Sequence, residues 1–384
     1  MRNIKVFAGS SNLPLAKAIC DRLGIALGHA NLSKFSNFET NVEIKESVRN
    51  QHVYIIQSAC GRVNDHLLEV LIMIAACKTA SAKTVSVVLP CFPYSRQADV
   101  PYDHSRKNRV ANVVMKALEG NSALPSPTAG LGGPQVDPLL CSHTSQEETI
   151  CPPLSPMAQS YFLNQENKGY RQWVARAGTL VANMLAAAGA DHIVTMDLHD
   201  PQFQGYFDIP VDQIYAEPSI IRYIKSEIPD YAQAVIVSPD AGGAKRATAV
   251  CTKLNLAFAL VHKESKTNSD QPGMGLVGDV KDKVAIIIDD MADTFGTLGA
   301  AAEVLQRHGA TKIYAIVTHG ILSGPAIDIL NSSPLCRLVT TNTVPQSEKQ
   351  RLSAKVDVID VSTLFAEAIR RTHNGESVSL LFRS

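Results

Sequence analysis

The chain has 384 residues, enough for two domains that each bury a full hydrophobic core. Its 36 basic and 36 acidic residues give a formal net charge of zero, so charge offers no case for binding nucleic acid or a membrane surface. Eight cysteines are scattered without paired spacing, a pattern typical of free thiols in a reducing compartment. No apolar run approaches a secretory signal or a membrane span, so the sequence predicts a cytoplasmic protein.

The first part of the chain alternates short apolar segments with longer amphipathic ones, which predicts alternating strands and helices. The predicted strands are residues 4–8, 52–57 and 85–89, and the predicted helices are residues 13–23 and 65–80.

A polar segment, residues 34–49, lies between the first helix and the second strand. The alternation at residues 40–44 predicts an exposed strand or hairpin edge. Phe35, Asn37 and Glu39 precede this edge on a turn. These residues alone favour an ordinary polar hairpin.

The predicted strand at residues 85–89 is followed by groups that suit an adenine nucleotide. Tyr94 offers an aromatic face, Arg96 a cation and Gln97 an amide. A guanidinium can bind phosphate through two parallel hydrogen bonds, and an amide can bind the edge of a base. A solvated loop that contains one arginine is the alternative.

Residues 102–169 break the regular pattern. Pro, Ser, Gly and Thr dominate residues 120–156, where neither a helical nor a strand period survives. This composition predicts a disordered or loosely ordered insertion. Regularity resumes at Tyr170, from which a long helix is predicted to Ala188.

Two later strands are followed by groups that can bind phosphate or metal. The strand at residues 191–196 leads to His199, which is in position for a phosphate or a phosphate-bound metal, although a lone histidine is more often structural. The strand at residues 234–237 leads to Asp240, then to two glycines that let the backbone turn onto a phosphate, and to the basic residues Lys245 and Arg246.

Residues 284–297 carry the most informative pattern in the chain. An apolar strand ends in Asp289 and Asp290, a loop is predicted at residues 291–297, and a helix at residues 298–308. Ligands of open parallel sheets bind beyond the carboxyl ends of strands. A phosphate here would meet free N–H groups and a helix N-terminus, while the carboxylates suit ribose hydroxyls or magnesium. An ordinary helix N-terminus with favourable acidic residues is the alternative.

The remaining segments predict a second α/β half. Residues 318–320 are predicted as a tight turn, and the polar, glycine-bearing segment after residue 261 as a mobile lid. The other predicted strands are residues 257–261, 312–317, 339–341 and 356–361, and the other predicted helices are residues 218–228 and 364–372.

Residues 284–297 resemble the phosphoribosyl diphosphate loop of the type I phosphoribosyltransferase fold. Three more stretches, residues 195–212, 237–248 and 370–379, narrow the resemblance to the ribose-phosphate diphosphokinase family, also called phosphoribosyl diphosphate synthetases. The resemblance covers nearly all of the chain except residues 102–169.

The resemblance implies an α/β fold with two tandem type I phosphoribosyltransferase-like domains and mostly parallel central sheets. The N-terminal domain would span residues 1–213, including the insertion. The C-terminal domain would span residues 214–384, with the final residues packed back on the N-terminal domain. The ATP site would lie between the two domains and between subunits.

The resemblance also implies which residues bind the substrates. ATP is expected to contact Phe35, Asn37 and Glu39 across a dimer interface, together with Arg96, Gln97 and His199. Ribose 5-phosphate is expected to contact Asp289, Asp290, Asp293, Thr294, Phe295, Gly296 and Thr297. The diphosphate is expected on the loop of Asp240, Ala241, Gly242, Gly243, Ala244 and Lys245. Magnesium is expected on His199 and Asp240.

Three positions depart from the family pattern. The family's lid carries a catalytic lysine, here Lys263, followed two residues later by an arginine, but Ser265 occupies that second position. Lys266, one residue further on, offers only a point charge without the paired donors of arginine. Phe38 and Phe295 are bulkier than the residues usual at their positions.

The resemblance implies a regulated oligomer, formed by identical or related subunits. Phosphate is expected to activate, and ADP to inhibit, at a site lined by Ser47, Arg49, Ser377, Val378 and Ser379.

The implied reaction transfers the β,γ-diphosphoryl group of ATP to the C1 hydroxyl of ribose 5-phosphate. Two alternatives remain open at this point. A non-catalytic regulatory subunit of a synthetase assembly would explain Ser265 and the long insertion. A phosphoribosyltransferase that consumes the product would need no ATP motif, yet the chain supplies one.

Overall fold

Two β-sheets covered by helices organise the chain. The structure is a computed structural model that describes residues 3–96, 177–263 and 274–382. The insertion predicted at residues 102–169 and the start of the helix predicted from Tyr170 lie outside these ranges.

The first half forms a parallel five-stranded sheet and a separate hairpin. Its strands are β1 (Ile4–Ala8), β2 (Ala30–Lys34), β3 (Thr40–Ile44), β4 (His52–Ile56), β5 (Thr84–Leu89), β6 (His192–Met196) and β7 (Val211–Ile214). Its helices are α1 (Leu13–Leu23), α2 (Val63–Thr79) and α3 (Ala177–Ala188), with a short 3-10 helix at Pro201–Tyr206. The sheet has the order β1-β4-β5-β6-β7, and β2 pairs with β3 as the predicted antiparallel hairpin.

The second half forms a seven-stranded sheet. Its strands are β8 (Val235–Ser238), β9 (Ala257–Lys263), β10 (Met274–Val277), β11 (Val284–Ala292), β12 (Lys312–Gly320), β13 (Arg337–Thr341) and β14 (Val356–Ile359). Its helices are α4 (Glu217–Glu227), α5 (Ala244–Leu254), α6 (Gly296–Arg307), α7 (Ala326–Ser332), α8 (Ser347–Leu352) and α9 (Ser362–Asn374), with 3-10 helices at Tyr231–Gln233 and Val378–Phe382. The order is β10-β9-β8-β11-β12-β13-β14, and only the edge strand β10 runs antiparallel to its neighbour.

The predicted α/β class with mostly parallel sheets is confirmed. Strands of a parallel sheet are buried on both faces, so their sequences are nearly continuous apolar runs. The five residues Val284–Ile288 at the start of β11 are all buried, as such a run predicts. None of the helices in the described residues has the length and apolar character needed to cross a membrane.

Two strand ends differ from the sequence-based prediction. β11 continues through the predicted loop as far as Ala292, because Met291 and Ala292 pair in register with His319 and Gly320 of β12. The tight turn predicted at residues 318–320 is therefore wrong, since these residues are the last of β12. The loop between β11 and α6 is correspondingly shortened to residues 293–295.

One cluster of buried side chains runs through both sheets. It joins Val6 and Ile56 of the first sheet to Ile286 and Ile316 of the second. Phe365 of the C-terminal helix α9 is fully buried in the same cluster. The two halves are therefore held together by a shared core.

Polar contacts add to the packing of α9 on α1. Arg22 Nη2 donates to Asp360 Oδ2 at 2.6 Å, and its Nε donates to Ser362 Oγ at 2.6 Å. Because Arg22 and Asp360 are both partly exposed, this ion pair adds little to stability compared with the core beneath it.

Replacing the core side chain of α9 should weaken both halves at once. Phe365→Ala removes a fully buried ring and is expected to lower the free energy of unfolding by about 3–5 kcal/mol. Leu352→Ala, at a side chain that is 58% exposed, is the control and should change it by less than about 0.5 kcal/mol. Urea unfolding followed by circular dichroism measures the free energy of unfolding of both variants. If Phe365→Ala lowered it no more than Leu352→Ala does, a role of Phe365 in the shared core would be contradicted.

Candidate active site

The turn after β6 presents a histidine to solvent. Asp197 has a φ of +38°, in the left-handed region that residues other than glycine seldom adopt. Its buried carboxylate accepts hydrogen bonds from Thr318 Oγ1 at 2.6 Å and from the N–H of Ala216 at 3.2 Å. These bonds hold the turn, so that Leu198 is buried while the side chain of His199 remains 45% exposed.

His199 meets the carboxyl end of β11 from the other sheet. Its Nδ1 lies 2.6 Å from Oδ2 of Asp290, whose side chain is only 3% exposed. A ring nitrogen that faces a carboxylate carries the proton, so Nδ1 is the donor. Arg246, in the first turn of α5, places Nη1 3.1 Å from Oδ1 of Asp290 and 3.8 Å from Oδ1 of Asp289. Asp290 is thus bound by a side chain from each half of the molecule.

The two adjacent carboxylates have opposite pKa shifts. Burial raises the pKa of Asp289 well above its ordinary value, and the charge of Asp290 raises it further. Burial also acts to raise the pKa of Asp290, but the hydrogen bond from His199 and the charge of Arg246 outweigh it and hold the pKa well below its usual range. The hydrogen bond to Asp290 raises the pKa of His199, against the opposing effect of burial. The hydrogen bond therefore favours the charged forms of His199 and Asp290, beside a carboxyl group, Asp289, that holds a proton more readily.

The turn after β8 folds around its own aspartate. Asp240 Oδ1 accepts a hydrogen bond from the N–H of Gly243 at 3.0 Å, and Ser238 Oγ donates to the carbonyl oxygen of Asp240 at 2.6 Å. A Cβ atom on Gly243 would lie 3.1 Å from Ser238 Oγ, 3.6 Å from Asp289 Oδ1 and 3.9 Å from Asp240 Oδ1. The carboxylates of Asp240 and Asp289, from two neighbouring strand ends, thus both lie close to Gly243.

The rest of this predicted diphosphate loop is open to solvent on one side. Gly242 and Lys245 are exposed, Ala241 is half-buried, and Ala244 is the buried first residue of α5. No side chain caps the N-terminus of α5, so its first N–H groups remain available to a ligand.

The predicted ribose-5-phosphate loop lies between β11 and α6. Thr294, Gly296 and Thr297 are exposed, whereas the ring of Phe295 is buried. No side chain caps α6 either, so exposed N–H groups and hydroxyls share its N-terminus, an arrangement that suits an anion.

Asp293 joins this loop to the first half of the molecule. It forms an ion pair with Arg96, which follows β5. Burial acts to raise the pKa of Asp293, but the hydrogen bond and charge of Arg96, together with contacts to Ser323, outweigh burial and lower the pKa. The other carboxylate oxygen, Oδ1, is buried and has no hydrogen-bond partner among the described residues. Arg96, predicted to bind ATP, therefore lies beside the predicted sugar-phosphate loop.

The predicted adenine-binding residues lie elsewhere on the single chain. Phe35, Asn37 and Glu39 are exposed on the turn of the β2–β3 hairpin, where the N–H of Phe35 donates to the carbonyl oxygen of Glu39 at 2.9 Å. The adjacent Lys34 is tied to Asp65 of α2 at 2.8 Å. None of the contacts found within the described ranges joins this turn to the His199–Asp290 pair.

Several predicted site residues lie beyond what the structure describes. Gln97, Ser265 and Lys266 are outside the described residues. The backbone of Lys263 ends β9, but its side chain is outside the description.

The predicted regulatory residues belong to two segments that approach one another. Ser47 and Arg49 are exposed just before β4, and Ser377, Val378 and Ser379 follow α9, with Val378 half-buried. The rings of His52, at the start of β4, and His373, near the end of α9, meet edge to face with centroids 5.1 Å apart. Arg371 also donates to the carbonyl oxygen of Ser377 at 3.1 Å.

The donor set fits magnesium only together with a phosphate ligand. Within residues 3–96, 177–263 and 274–382, no group of three or more His, Cys, Asp or Glu residues could hold a metal ion by itself. Magnesium commonly takes one or two carboxylates and completes its coordination with water and substrate phosphate oxygens. The neighbouring carboxylates of Asp240 and Asp289, beside the exposed His199, fit that mode.

Sequence reasoning missed three of the residues that shape the site. Thr318 and His319 were assigned to a turn, and Asp197 was given no role of its own. The signal was a pair of polar residues directly after the apolar run of β12, the same pattern that identifies Asp289 and Asp290 after the apolar run of β11.

The raised pKa of His199 predicts how the stability of the protein varies with pH. A group whose pKa is raised on folding stabilises the folded state fully below its unfolded pKa, about 6.5 for histidine, and loses this effect as the pH rises through the folded pKa. The free energy of unfolding of the wild type relative to His199→Gln should therefore be largest near pH 6 and decline toward alkaline pH. The same comparison in an Asp290→Asn background should show a much smaller pH dependence. An unchanged dependence there would contradict the ion pair.

Two family models match the chain. Residues 4–120 match the N-terminal domain of ribose phosphate pyrophosphokinase, and residues 265–383 match the phosphoribosyl synthetase-associated domain.

Solved structures give a full-length match. The crystal structure of phosphoribosylpyrophosphate synthetase from Mycobacterium smegmatis is 31% identical in sequence, with 97% of this chain and 100% of that chain covered and a TM-score of 0.72. A purine phosphoribosyltransferase from Pyrococcus horikoshii Ot3 is 20% identical, covers 27% of this chain and 81% of its own, and has a TM-score of 0.22. An orotate phosphoribosyltransferase from Aeropyrum pernix is 19% identical, covers 38% and 70%, and has a TM-score of 0.23. The last two matches carry no weight here, but the first, over the whole chain, shows that this protein belongs to the phosphoribosylpyrophosphate synthetase, or ribose-phosphate diphosphokinase, family.

Proposed function

We propose that the protein is a catalytically active ribose-phosphate diphosphokinase. It transfers the β,γ-diphosphoryl group of ATP to the C1 hydroxyl of ribose 5-phosphate, giving 5-phospho-α-D-ribose 1-diphosphate and AMP for nucleotide synthesis. The observation that carries the proposal is the hydrogen bond of 2.6 Å between His199 and Asp290, which brings the strand ends of both sheets into one site.

The roles follow from what each strand end offers. Asp289 and Asp290 bind the ribose hydroxyls, and residues 293–297 bind the 5-phosphate at the N-terminus of α6. The loop at residues 240–245 binds the diphosphate at the N-terminus of α5. We place the domain boundary after residue 213, one residue before the end of β7, and the site in the cleft between the two domains.

The ATP side of the site uses residues from the first half. Arg96 and Gln97 bind the nucleotide, and Phe35, Asn37 and Glu39 reach it from a neighbouring subunit. The exposure of this turn on a single chain is compatible with such sharing. The protein then acts as an oligomer of identical or related subunits, and we place it in the cytoplasm.

The chain's part in the reaction is alignment and charge neutralisation. Little covalent chemistry is required of a protein that transfers a phosphoryl group, because the substrate hydroxyl and phosphorus need mainly to be held in line. Arg246 and Lys263 supply positive charge near the transferred group, an electrostatic effect that is commonly the largest in such sites. His199 and Asp240 would hold Mg2+, which neutralises charge on the phosphate oxygens when it is bound.

Regulation is placed at the surface where the segment before β4 meets the end of α9. Ser47 and Arg49 on one segment, and residues 377–379 on the other, form a site for phosphate as activator and ADP as inhibitor. The contact between His52 and His373 supports this placement, because it brings the two segments together.

Turnover by the isolated full chain tests the proposal directly. With Mg2+, inorganic phosphate, ATP and ribose 5-phosphate, AMP should be released only when the sugar phosphate is present. Asp290→Asn removes the partner of two cationic side chains and should lower kcat about 100-fold or more. Asp357→Asn breaks a partly exposed ion pair with Arg337 and is the matched control, with turnover unchanged.

The same assay separates the proposal from a regulatory role. A chain that folds and binds ATP yet releases no AMP alone, but raises the activity of an added catalytic subunit, would be a regulatory subunit. Ser265 occupies the place of an arginine in the family's lid, which favours that alternative. Turnover by the chain alone and activation of an added catalytic subunit are therefore measured in the same experiment.

The lid lysine gives a second test. Lys263→Ala should lower kcat by about 10²–10³-fold, the loss typical of removing one preorganised charge donor. Lys253→Ala, which removes an exposed amine paired with Glu217 at 3.3 Å, is the control and should leave kcat unchanged. Full turnover by Lys263→Ala would contradict the assignment of the lid.

A further inference from the structure

Three buried polar residues bind the strand end that carries His199. Thr318, His319 and Thr343, which we call the inter-sheet clasp, belong to the second half of the molecule and are all buried. Thr318 and His319 bind residues 196–197 at the end of β6 in the first sheet, and Thr343 binds His319. Nothing in the proposed reaction assigns a role to the clasp.

The imidazole of His319 has one possible arrangement of protons. Its Nε2 lies 3.1 Å from the carbonyl oxygen of Met196 and 3.2 Å from that of Asp197. Two carbonyl oxygens can only accept, so Nε2 must carry a proton. Burial lowers the pKa of His319, which favours the neutral ring. In a neutral ring Nδ1 is then an acceptor.

The hydroxyl of Thr343 supplies the matching donor. Thr343 Oγ1 lies 2.9 Å from Nδ1 of His319. Thr343 Oγ1 also lies 3.2 Å from the carbonyl oxygen of Thr318, but Thr341 Oγ1 donates to that oxygen at the shorter distance of 2.7 Å, which leaves the proton of Thr343 for the ring. The hydroxyl therefore fixes both the orientation and the tautomer of His319.

Thr343 is itself held by the first half of the molecule. Its carbonyl oxygen accepts hydrogen bonds from Ser58 Oγ at 2.6 Å and from Asn12 Nδ2 at 3.2 Å. Asn12 Nδ2 also donates to the carbonyl oxygen of Asn342 at 2.9 Å. The clasp thus lies where polar groups of the two halves bind one another in the interior.

The clasp acts on a strained turn. Asp197 has a left-handed backbone, and such a conformation persists only where its surroundings enforce it. Thr318 binds its side chain at 2.6 Å and His319 binds its carbonyl oxygen. His199 lies two residues after Asp197, where its ring contacts Asp290.

We propose that Thr343, acting through His319, is a positioning residue for His199. Its hydroxyl sets the ring of His319, and the ring holds the main chain of residues 196–197 so that Nδ1 of His199 stays bonded to Asp290. The positioning itself is independent of the reaction, whereas its effect on turnover rests on the proposed function.

The hydrogen bond between His199 and Asp290 can be observed without substrate. An imidazole N–H that donates to a carboxylate gives a far-downfield proton NMR signal, which His199→Asn assigns by its absence. In Thr343→Val this signal should be lost or displaced, and in Thr343→Ser, which keeps the hydroxyl, it should remain. Thr340→Val is the matched control, because Thr340 is equally buried but the one hydrogen bond found for its hydroxyl among the described residues is the long contact of 3.5 Å with the carbonyl oxygen of Thr318.

Kinetics report the consequence for the reaction. Thr343→Val should lower kcat about tenfold, the factor that corresponds to roughly one lost buried hydrogen bond, with KM for ribose 5-phosphate within about twofold of the wild type. Thr343→Ser should restore kcat, and Thr340→Val should leave it unchanged. In a His319→Gln background, Thr343→Val should have little further effect, because the two residues act as one unit.

The outcomes separate the two proposals. A folded Thr343→Val protein with a wild-type signal would overturn the positioning role, as would an equal change in Thr340→Val. If Thr343→Val does not fold, the decision passes to His319→Gln, where a wild-type signal would likewise overturn it. Absence of turnover in the wild type would refute the proposed function and leave the NMR result to decide the clasp.

Discussion

A buried carboxylate needs a partner, and this requirement at Asp290 dictates how the two halves of the molecule meet. With its side chain only 3% exposed, Asp290 would be costly to ionise alone. His199 comes from the first sheet and Arg246 from the second, so the charge is satisfied only when both halves are in place. Removing one partner of such a pair commonly costs about 3–5 kcal/mol, because a buried charge is left behind. The site and the packing of the halves are therefore linked.

The parallel sheets explain why so many functional groups meet in one region. Each strand of a parallel sheet delivers its next residues to the same edge, and ligands of such folds bind at that edge. β8 and β11 are neighbours in the second sheet, so the side chains of Asp240 and Asp289 both lie close to Gly243. Arg96, beyond β5 of the first sheet, reaches the loop after β11 through Asp293. A sugar phosphate at that loop would therefore lie beside the group predicted to bind the nucleotide.

The sequence predicted the class of fold and the strand ends that carry the site, because apolar runs followed by polar clusters are local signals. Asp289, Asp290 and His199 were identified in this way, each after an apolar run. The local pattern could not supply the partners of these residues. That His199 binds Asp290, 91 positions further along the chain, depends on how the intervening residues are arranged in space. The extension of β11 to Ala292 was missed for a similar reason. It depends on pairing with β12, which the local sequence does not show.

Phe295 departs from the family pattern, yet it can support the conformation of the loop that we propose binds the sugar phosphate. Its φ of +66° places a bulky side chain in the left-handed region, at a cost of about 1–2 kcal/mol. The ring is 2% exposed within the core of the second half, and burial of a phenylalanine contributes about 1.5–3 kcal/mol. The gain is of the same size as the strain or larger, so the ring can hold the backbone in this conformation. The ring thus points into the core while its exposed neighbours, Thr294 and Gly296, face the solvent where a phosphate would bind.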